Sequence, residues 1–418
     1  MLVGAPTPDV SPEEADEHLE ELGRLTDTAG ANVVAVLIQR LDAPHPRYFI
    51  GEGKAEQLKR VAEEREATVV IFDDELTPAQ GKNLEDLLEI RVMDRTELIL
   101  DIFATRARSN EAQLQVELAQ LEYLLPRLKR MWTHLSRIRG GIGLRGPGET
   151  QLETDRRIIG RRISDLRSKL EVVAQRRATQ RKGRSAEFQA ALVGYTNAGK
   201  SSLLRALSGS ELFVEDRLFA TLDPATRKVE LPSGNTVLMT DTVGFIRKLP
   251  HHLVASFRAT LEEAAEADVL LHVIDGSHPR WEEQKRVVED VLGQLDLAEV
   301  PVALVFNKID QLTHDEEAAL RQRTRALFAE PAVYTSTVER NGFDELAEFL
   351  DDQIRQQRPE VQLLVPASDG ETLAAVYREG EVLSFTERGT VIDVRARLPA
   401  RTLGRLRQRP GIEIHGAA

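Results

Sequence analysis

Gly194-Tyr195-Thr196-Asn197-Ala198-Gly199-Lys200-Ser201 fits the pattern G-x-x-x-x-G-K-[ST], and few strings of this length constrain a fold as tightly. It follows the apolar run Ala190–Val193 and precedes the helical stretch Ser202–Leu207. Glycines let successive backbone N–H groups curl around an anion, and the helix that follows adds the positive end of its dipole. The pattern works only between a strand and a helix, so it demands an α/β layer with the loop at the strand's C-terminal end. In that setting the backbone of residues 194–202 cradles phosphates. Lys200 reaches the β- and γ-phosphates, and the Ser201 hydroxyl faces Mg²⁺.

Two later motifs fit the same sheet. Asp241-Thr242-Val243-Gly244 follows Val237-Leu238-Met239, so Asp241 can hold the Mg²⁺ through water and Gly244 can offer its N–H to the γ-phosphate. Asn307-Lys308-Ile309-Asp310 follows the run Val302–Phe306. A carboxylate at Asp310 can accept from guanine N1–H and its exocyclic amine, a donor pair adenine lacks, and this selects GTP over ATP. Between the first two motifs stand Thr221 and Thr226. One of them is expected to complete the Mg²⁺ shell when a γ-phosphate is present, and Thr221 is preferred. Ser336, with Thr337 beside it, is expected near guanine O6. Phe245 stands where a water-orienting glutamine is common, so intrinsic hydrolysis should be slow. Asn197 has two readings, a K⁺ ligand or a residue that suits the loop backbone.

The chain carries a formal charge of −13, which by itself argues against a nucleic-acid partner. The distribution reverses that argument locally: residues 126–186 hold 17 Lys and Arg against five Asp and Glu. The same region repeats apolar residues at alternating spacings of four and three, from Leu114 through Leu118, Leu121, Leu125, Leu128 and Trp132 to Leu135. The pattern returns from Ile159 through Ile163, Leu166 and Leu170 to Val173. Gly140–Gly148 separates the two seams and should not be helical, so an antiparallel helical hairpin with a glycine-rich tip is expected, with a kink at Pro126.

The expected organisation is an N-terminal α/β domain over 1–108, the basic hairpin over 109–186, a P-loop GTPase domain over 187–358 and a small α+β domain over 359–418. Residues 1–26 read as acidic and loosely structured. Asn32–Gln39, Thr68–Phe72 and Glu89–Met93 read as strands, and Gly51–Ala67 as a helix. Thr77-Pro78-Ala79-Gln80 reads as a capped helix start. The absence of cysteine excludes disulfides and thiolate chemistry and fits a reducing cytoplasm. No apolar run is long enough to span a bilayer. His251-His252 reads as a surface pair rather than a metal site.

The glycine-rich segment continues as Gly148-Glu149-Thr150-Gln151-Leu152-Glu153-Thr154-Asp155-Arg156-Arg157. With Tyr48-Phe49-Ile50-Gly51-Glu52-Gly53-Lys54, Val116–Leu121 and Asp241–Phe245, it closely resembles the HflX family of translational GTPases over residues 27–400. The resemblance implies a cytoplasmic, monomeric factor, with peripheral membrane association left open. It implies binding to the large ribosomal subunit, splitting of stalled or idle ribosomes, and GTP hydrolysis there. It also implies that the hairpin tip approaches the peptidyl transferase centre, with Arg139, Arg145, Arg156 and Arg157 as ribosomal-RNA contacts. The family is linked to ATP binding by the N-terminal region, although Gly51-Glu52-Gly53-Lys54 is too short for a second phosphate loop. The alternative is therefore an ATP-dependent RNA-remodelling protein with a regulatory GTPase domain. Thr337 replaces an expected alanine, and Arg340 a common glycine.

Overall fold

The computed structural model describes residues 1–131, 147–181, 187–209, 217–249, 264–295, 297 and 300–416. Arg139, Arg145, most of the glycine-rich tip, the linker Gly183–Ser185 and His251-His252 lie outside them.

The chain opens with β1 (Leu2–Gly4), α1 (Pro12–Thr28), β2 (Val36–Ile38), α2 (Glu52–Glu64), β3 (Val69–Phe72), α3 (Pro78–Leu88), β4 (Arg91–Asp94) and α4 (Arg95–Arg106). The four strands form a parallel sheet in the order β2-β1-β3-β4. The loose N-terminus expected from its acidity is wrong. Leu2–Gly4 is an inner strand, and α1 is closed by a capping box between Ser11 and Glu14. Glu13, Asp16, Glu20 and Asp27 occupy its solvent side, while Leu19, Leu22 and Leu25 are buried and Glu21 turns inward to Arg95. The apolar run 32–39 yields only the edge strand Val36–Ile38, and Val33, Val34 and Val36 remain exposed. Apolar content alone does not distinguish an edge from a centre. The capping box at Thr77 and Gln80 forms as its residues dictate.

The basic segment contains α5 (Asn110–Met131) and α6 (Pro147–Arg181). They pack seam against seam, with Leu118, Ile163 and Leu166 buried and Leu114, Leu121, Leu125, Ile159 and Leu170 around them. Arg162 makes a two-pronged bond to Glu117 at 2.6 and 2.8 Å, and Arg167 binds Glu122 at 2.7 Å. Helix α5 runs unbroken through Pro126. Pro147 and Gly148, expected outside helix, open α6 instead, where proline's missing N–H would be unpaired anyway.

Next come β5 (Phe188–Gly194), α7 (Lys200–Ser208), β6 (Ala225–Glu230), β7 (Thr236–Asp241), β8 (Val269–Asp275), α8 (Trp281–Gln294), β9 (Val302–Asn307), α9 (His314–Leu327), β10 (Ala332–Tyr334) and α10 (Phe343–Gln357). The sheet order is β10-β9-β8-β5-β7-β6, parallel except for β6. This aligns the C-terminal ends of β5, β7 and β9 along one edge, where open α/β sheets bind ligands. The last sheet, β12-β13-β11-β14, is antiparallel, from β11 (Glu360–Pro366), β12 (Glu381–Arg388), β13 (Val391–Arg397) and β14 (Glu413–His415). Helices α11 (Gly370–Glu379) and α12 (Ala400–Leu406) accompany it. The architecture is α/β with a P-loop GTPase fold at its centre.

One apolar core joins the first sheet to the second. Leu19, Leu22, Phe103, Ala112 and Val116 share a cluster with Leu218, Phe219, Leu222, Phe245 and Ile246. Among the described residues no helix is long and apolar enough to cross a membrane.

Candidate active site

The phosphate loop is built from two backbone positions that exclude a side chain. Gly194 has φ +152°, and a Cβ there would lie 2.2 Å from the Val273 carbonyl oxygen. Gly199 has φ +98°, and its Cβ would lie 2.1 Å from Asn307 Nδ2. Asn307 uses that close approach to donate to the Ala198 carbonyl at 3.0 Å, tying β9 to the loop. Asn197 sits in the left-handed region at φ 62°, which suits its backbone reading.

Lys200 begins α7 with its Nζ folded onto the Gly194 and Tyr195 carbonyls at 3.0 and 2.9 Å. Burial pushes its pKa down to about 8, against the pull of Asp241. Ser201 Oγ donates to Asp241 Oδ2 at 2.5 Å and meets Thr221 Oγ1 at 2.7 Å. Burial raises the Asp241 carboxyl, opposed by Lys200 and the Ser201 hydrogen bond. Its buried Oδ1 has no hydrogen-bond partner among the described residues. Three oxygen donors therefore converge, one with an unused carboxylate oxygen, a set that fits a hard cation such as Mg²⁺. Thr226 lies elsewhere: it is in β6, its hydroxyl 2.9 Å from that of Thr240.

Gly244 crosses directly over the loop. A Cβ there would lie 2.7 Å from Thr196 Cα and 3.1 Å from Lys200 Nζ. Two backbone bonds hold the crossing, Phe245 N–H to Gly194 O at 3.0 Å and Thr196 N–H to Phe245 O at 2.7 Å. The Phe245 ring is buried in the core between the two sheets.

At the base end, Ser336 Oγ donates to Asp310 Oδ1 at 2.6 Å, and Lys308 binds Asp275 at 2.7 Å. The Ser336 side chain thus orients the carboxylate expected to read guanine. The cleft, about 290 Å³, is lined by Thr196, Asn197, Gly199, Lys200, Ser201, Ser202, Thr221, Gly244, Asn307, Lys308, Asp310 and Thr337. Tyr195 and Ala198 contribute backbone; the Tyr195 hydroxyl points to Glu21. Arg156 and Arg157 are exposed on α6.

Sequence reasoning missed Arg217, which also lines the cleft. It also missed Glu21, Asp73, Arg95, Arg247 and Lys248, whose ion pairs join the first domain to the segment after Gly244. These residues belong to no motif and become neighbours only through the tertiary fold.

A loop that cradles phosphates is common to many enzymes, but the carboxylate at Asp310 narrows the base, and the class is a P-loop GTPase, an enzyme that hydrolyses GTP. Family models match the chain in succession: GTP-binding GTPase N-terminal over residues 16–104, GTP-binding GTPase Middle Region over 106–184, and 50S ribosome-binding GTPase over 189–308. The chain belongs to the HflX family of GTPases. It is 47% identical over 402 residues to GTPase HflX of Caldanaerobacter subterraneus subsp. tengcongensis, covering 95% of this chain and 91% of that one. It is 53% identical over 303 residues to GTPase HflX of Alkalihalophilus pseudofirmus, 72% of each chain. For GTPase HflX of Escherichia coli the identity is 43% over 389 residues, 92% of this chain and 90% of that one.

Proposed function

We propose that this GTPase binds the large ribosomal subunit, lays its basic arm on ribosomal RNA, and dissociates stalled or idle ribosomes as a monomer. The observation that carries the reading is the α5–α6 arm rooted beside the GTPase sheet, with Arg156, Arg157 and Arg161 exposed along α6. Arginine forks suit phosphate oxygens, and an array of them gives the salt-dependent grip expected on a nucleic-acid backbone. The 50S ribosome-binding description of the model matched by residues 189–308 supports the same partner.

In this reading the loop N–H groups and the Lys200 ammonium hold the β- and γ-phosphates of GTP, and Asp310 selects guanine. Ser201, Thr221 and Asp241 would hold Mg²⁺, which neutralises charge on the phosphate oxygens when bound. Phe245 faces the core, so it orients no water, and turnover waits on a group supplied by the ribosome or on K⁺ held at Asn197. The ATP-dependent alternative has no support. Gly51 only caps α2, and its N–H is already given to Gln39 Oε1 at 3.0 Å.

Sucrose-gradient cosedimentation with separated subunits, under GTP, GDP and a non-hydrolysable GTP analogue in K⁺ buffer, tests the proposal. The chain should travel with the large subunit in the GTP-like state, and its GTPase rate should rise with added large subunits. Migration free of both subunits under every nucleotide would sink it.

A further inference from the structure

Asp223 stands two residues after Thr221 and belongs to none of the nucleotide motifs. Its carboxylate binds the root of the arm. Oδ2 accepts the backbone N–H groups of Arg108 and Ser109, both at 3.1 Å, and Oδ1 accepts the Ser109 hydroxyl. Ser109 is itself the cap of α5: its Oγ takes the Ala112 N–H at 3.0 Å, and its carbonyl takes the Gln113 N–H at 3.0 Å. A negative charge at a helix N-terminus is favourable, and here that charge comes from a segment of the GTPase domain.

The residues before Asp223 are fastened the same way on two sides. Phe219, at φ 55°, donates its N–H to Thr196 Oγ1 in the phosphate loop at 3.0 Å. Its ring meets Phe103 of α4 edge-on at 4.7 Å. Leu218 and Leu222 are buried with Ala112 and Val116 of α5. Between these anchors Thr221 reaches into the cleft to Ser201. One short stretch therefore touches the cation-binding oxygens with one residue and the start of the arm with another. Two residues of extended chain span at most roughly 7 Å, so Thr221 cannot leave the cleft far without pulling on Asp223.

We propose that Asp223 is a positioning residue: it holds Thr221 in the cleft by anchoring residues 218–223 to the Ser109 cap of the arm, and so couples the arm's root to γ-phosphate occupancy. The coupling is reciprocal, since whatever shifts the arm's root shifts Thr221 by the same free energy. The inference rests on the reading of Thr221 as the residue that senses the γ-phosphate.

The test measures affinity for GDP and for a non-hydrolysable GTP analogue, each with Mg²⁺, in the wild type, Asp223→Ala, Ser109→Ala, Ser109→Thr and Thr221→Ala. Asp223→Ala and Ser109→Ala should weaken the analogue about tenfold relative to GDP. Ser109→Thr keeps the hydroxyl and should keep the wild-type ratio. Equal weakening of both nucleotides, or none, in Asp223→Ala would mean an ordinary helix cap and overturn the inference. If Thr221→Ala leaves the ratio unchanged, the Thr221 reading itself fails.

The chain has no cysteine, so a second readout is direct. Spin labels on Ile158→Cys in the arm and Leu327→Cys in the GTPase domain, both exposed positions, report the distance between the two parts. That distance should change between GDP and the analogue, and Asp223→Ala should abolish the change. A distance indifferent to nucleotide in the otherwise wild-type chain, or a change that persists in Asp223→Ala, overturns the coupling.

Discussion

The hydroxyl of Tyr195, the second residue of the phosphate loop, is hydrogen-bonded to the carboxylate of Glu21 on α1. The N-terminal domain thus touches the loop that cradles the nucleotide. Glu21 also pairs with Arg95 and with Arg247, whose backbone N–H reaches the same Tyr195 hydroxyl at 3.0 Å. Asp73 extends the network, bound to Arg95 at 2.7 Å and to Lys248 at 2.8 Å. Burial alone would raise the Glu21 and Asp73 carboxyls; Arg95 first, then Arg247 and Lys248, overcome it and hold both below the usual carboxylate range.

Glu21→Ala removes a partner from Arg95, a guanidinium only 2% exposed. Asp73 still pairs with Arg95 at 2.7 Å, so the loss is that of a charged hydrogen bond, roughly 1.5–3 kcal/mol. Urea denaturation should show a loss of that order, whereas Arg24→Ala, on the exposed side of the same helix, should change stability by less than about 0.5 kcal/mol. Equal effects from the two would remove the network's structural role.

Asp310→Asn keeps the shape and loses one of the two acceptors offered to guanine. GTP and GDP affinity should fall on the order of 100-fold or more, because a buried donor is left facing an amide N–H. Xanthine carries a carbonyl where guanine has its amine, so xanthosine triphosphate should recover much of the loss. Isothermal titration with both nucleotides decides it; undiminished GTP binding by the variant would mean the base lies elsewhere.

Thr221→Ala and Thr226→Val separate the two threonines the sequence offers. Thr221 meets Ser201 in the cleft, while Thr226 pairs with Thr240 across β6 and β7. The first change should reduce single-turnover GTP hydrolysis by about 100-fold or more. The second should leave turnover within about twofold, since its substitution touches only a strand pair worth under roughly 1 kcal/mol. The reverse ranking would reassign the switch threonine.

His18 gives a pH signature. Burial first, then Arg247, lowers its pKa from 6.5 to about 4. The unfolded chain therefore takes up a proton that the folded chain refuses. Stability from this residue is complete above pH 6.5 and drains as pH falls toward about 4. Urea midpoints measured at pH 7 and pH 4.5 should fall less in His18→Gln than in the wild type. Parallel declines would show that His18 is protonated in the fold.

The candidate nucleotide site could be proposed from the sequence because its chemistry is local. Gly194, Gly199, Lys200 and Asp310 are dictated by backbone approach, phosphate charge and base edge, and each stands next to the strand that places it. The arm was legible because a seam with spacings of four and three can only be helical. What could not be read depends on contacts distant in sequence. The acidity of residues 1–26 masked Leu2–Gly4 as an inner strand, since three residues show no period. Asp223 looked like a loop aspartate because its partners, Arg108 and Ser109, lie more than a hundred residues earlier. Pro126 suggested a kink or local break by its own chemistry; α5 continues as helix through it, with the neighbouring Leu125 packed against the α5–α6 seam.

The core shared by Phe103 and Phe219 has a consequence for how the protein is made. Synthesis proceeds at about 5–20 residues per second, so Phe103 leaves the peptide exit on the order of ten seconds before its ring partner exists. During that interval helices α4 and α5 carry an apolar face, Phe103, Ala112 and Val116, that lacks its later partners Leu218, Phe219 and Leu222. The nascent chain is therefore exposed to aggregation at a fixed point in its elongation. A slow codon or a pause between residues 119 and 218 should cost more soluble product than the same pause placed after residue 246.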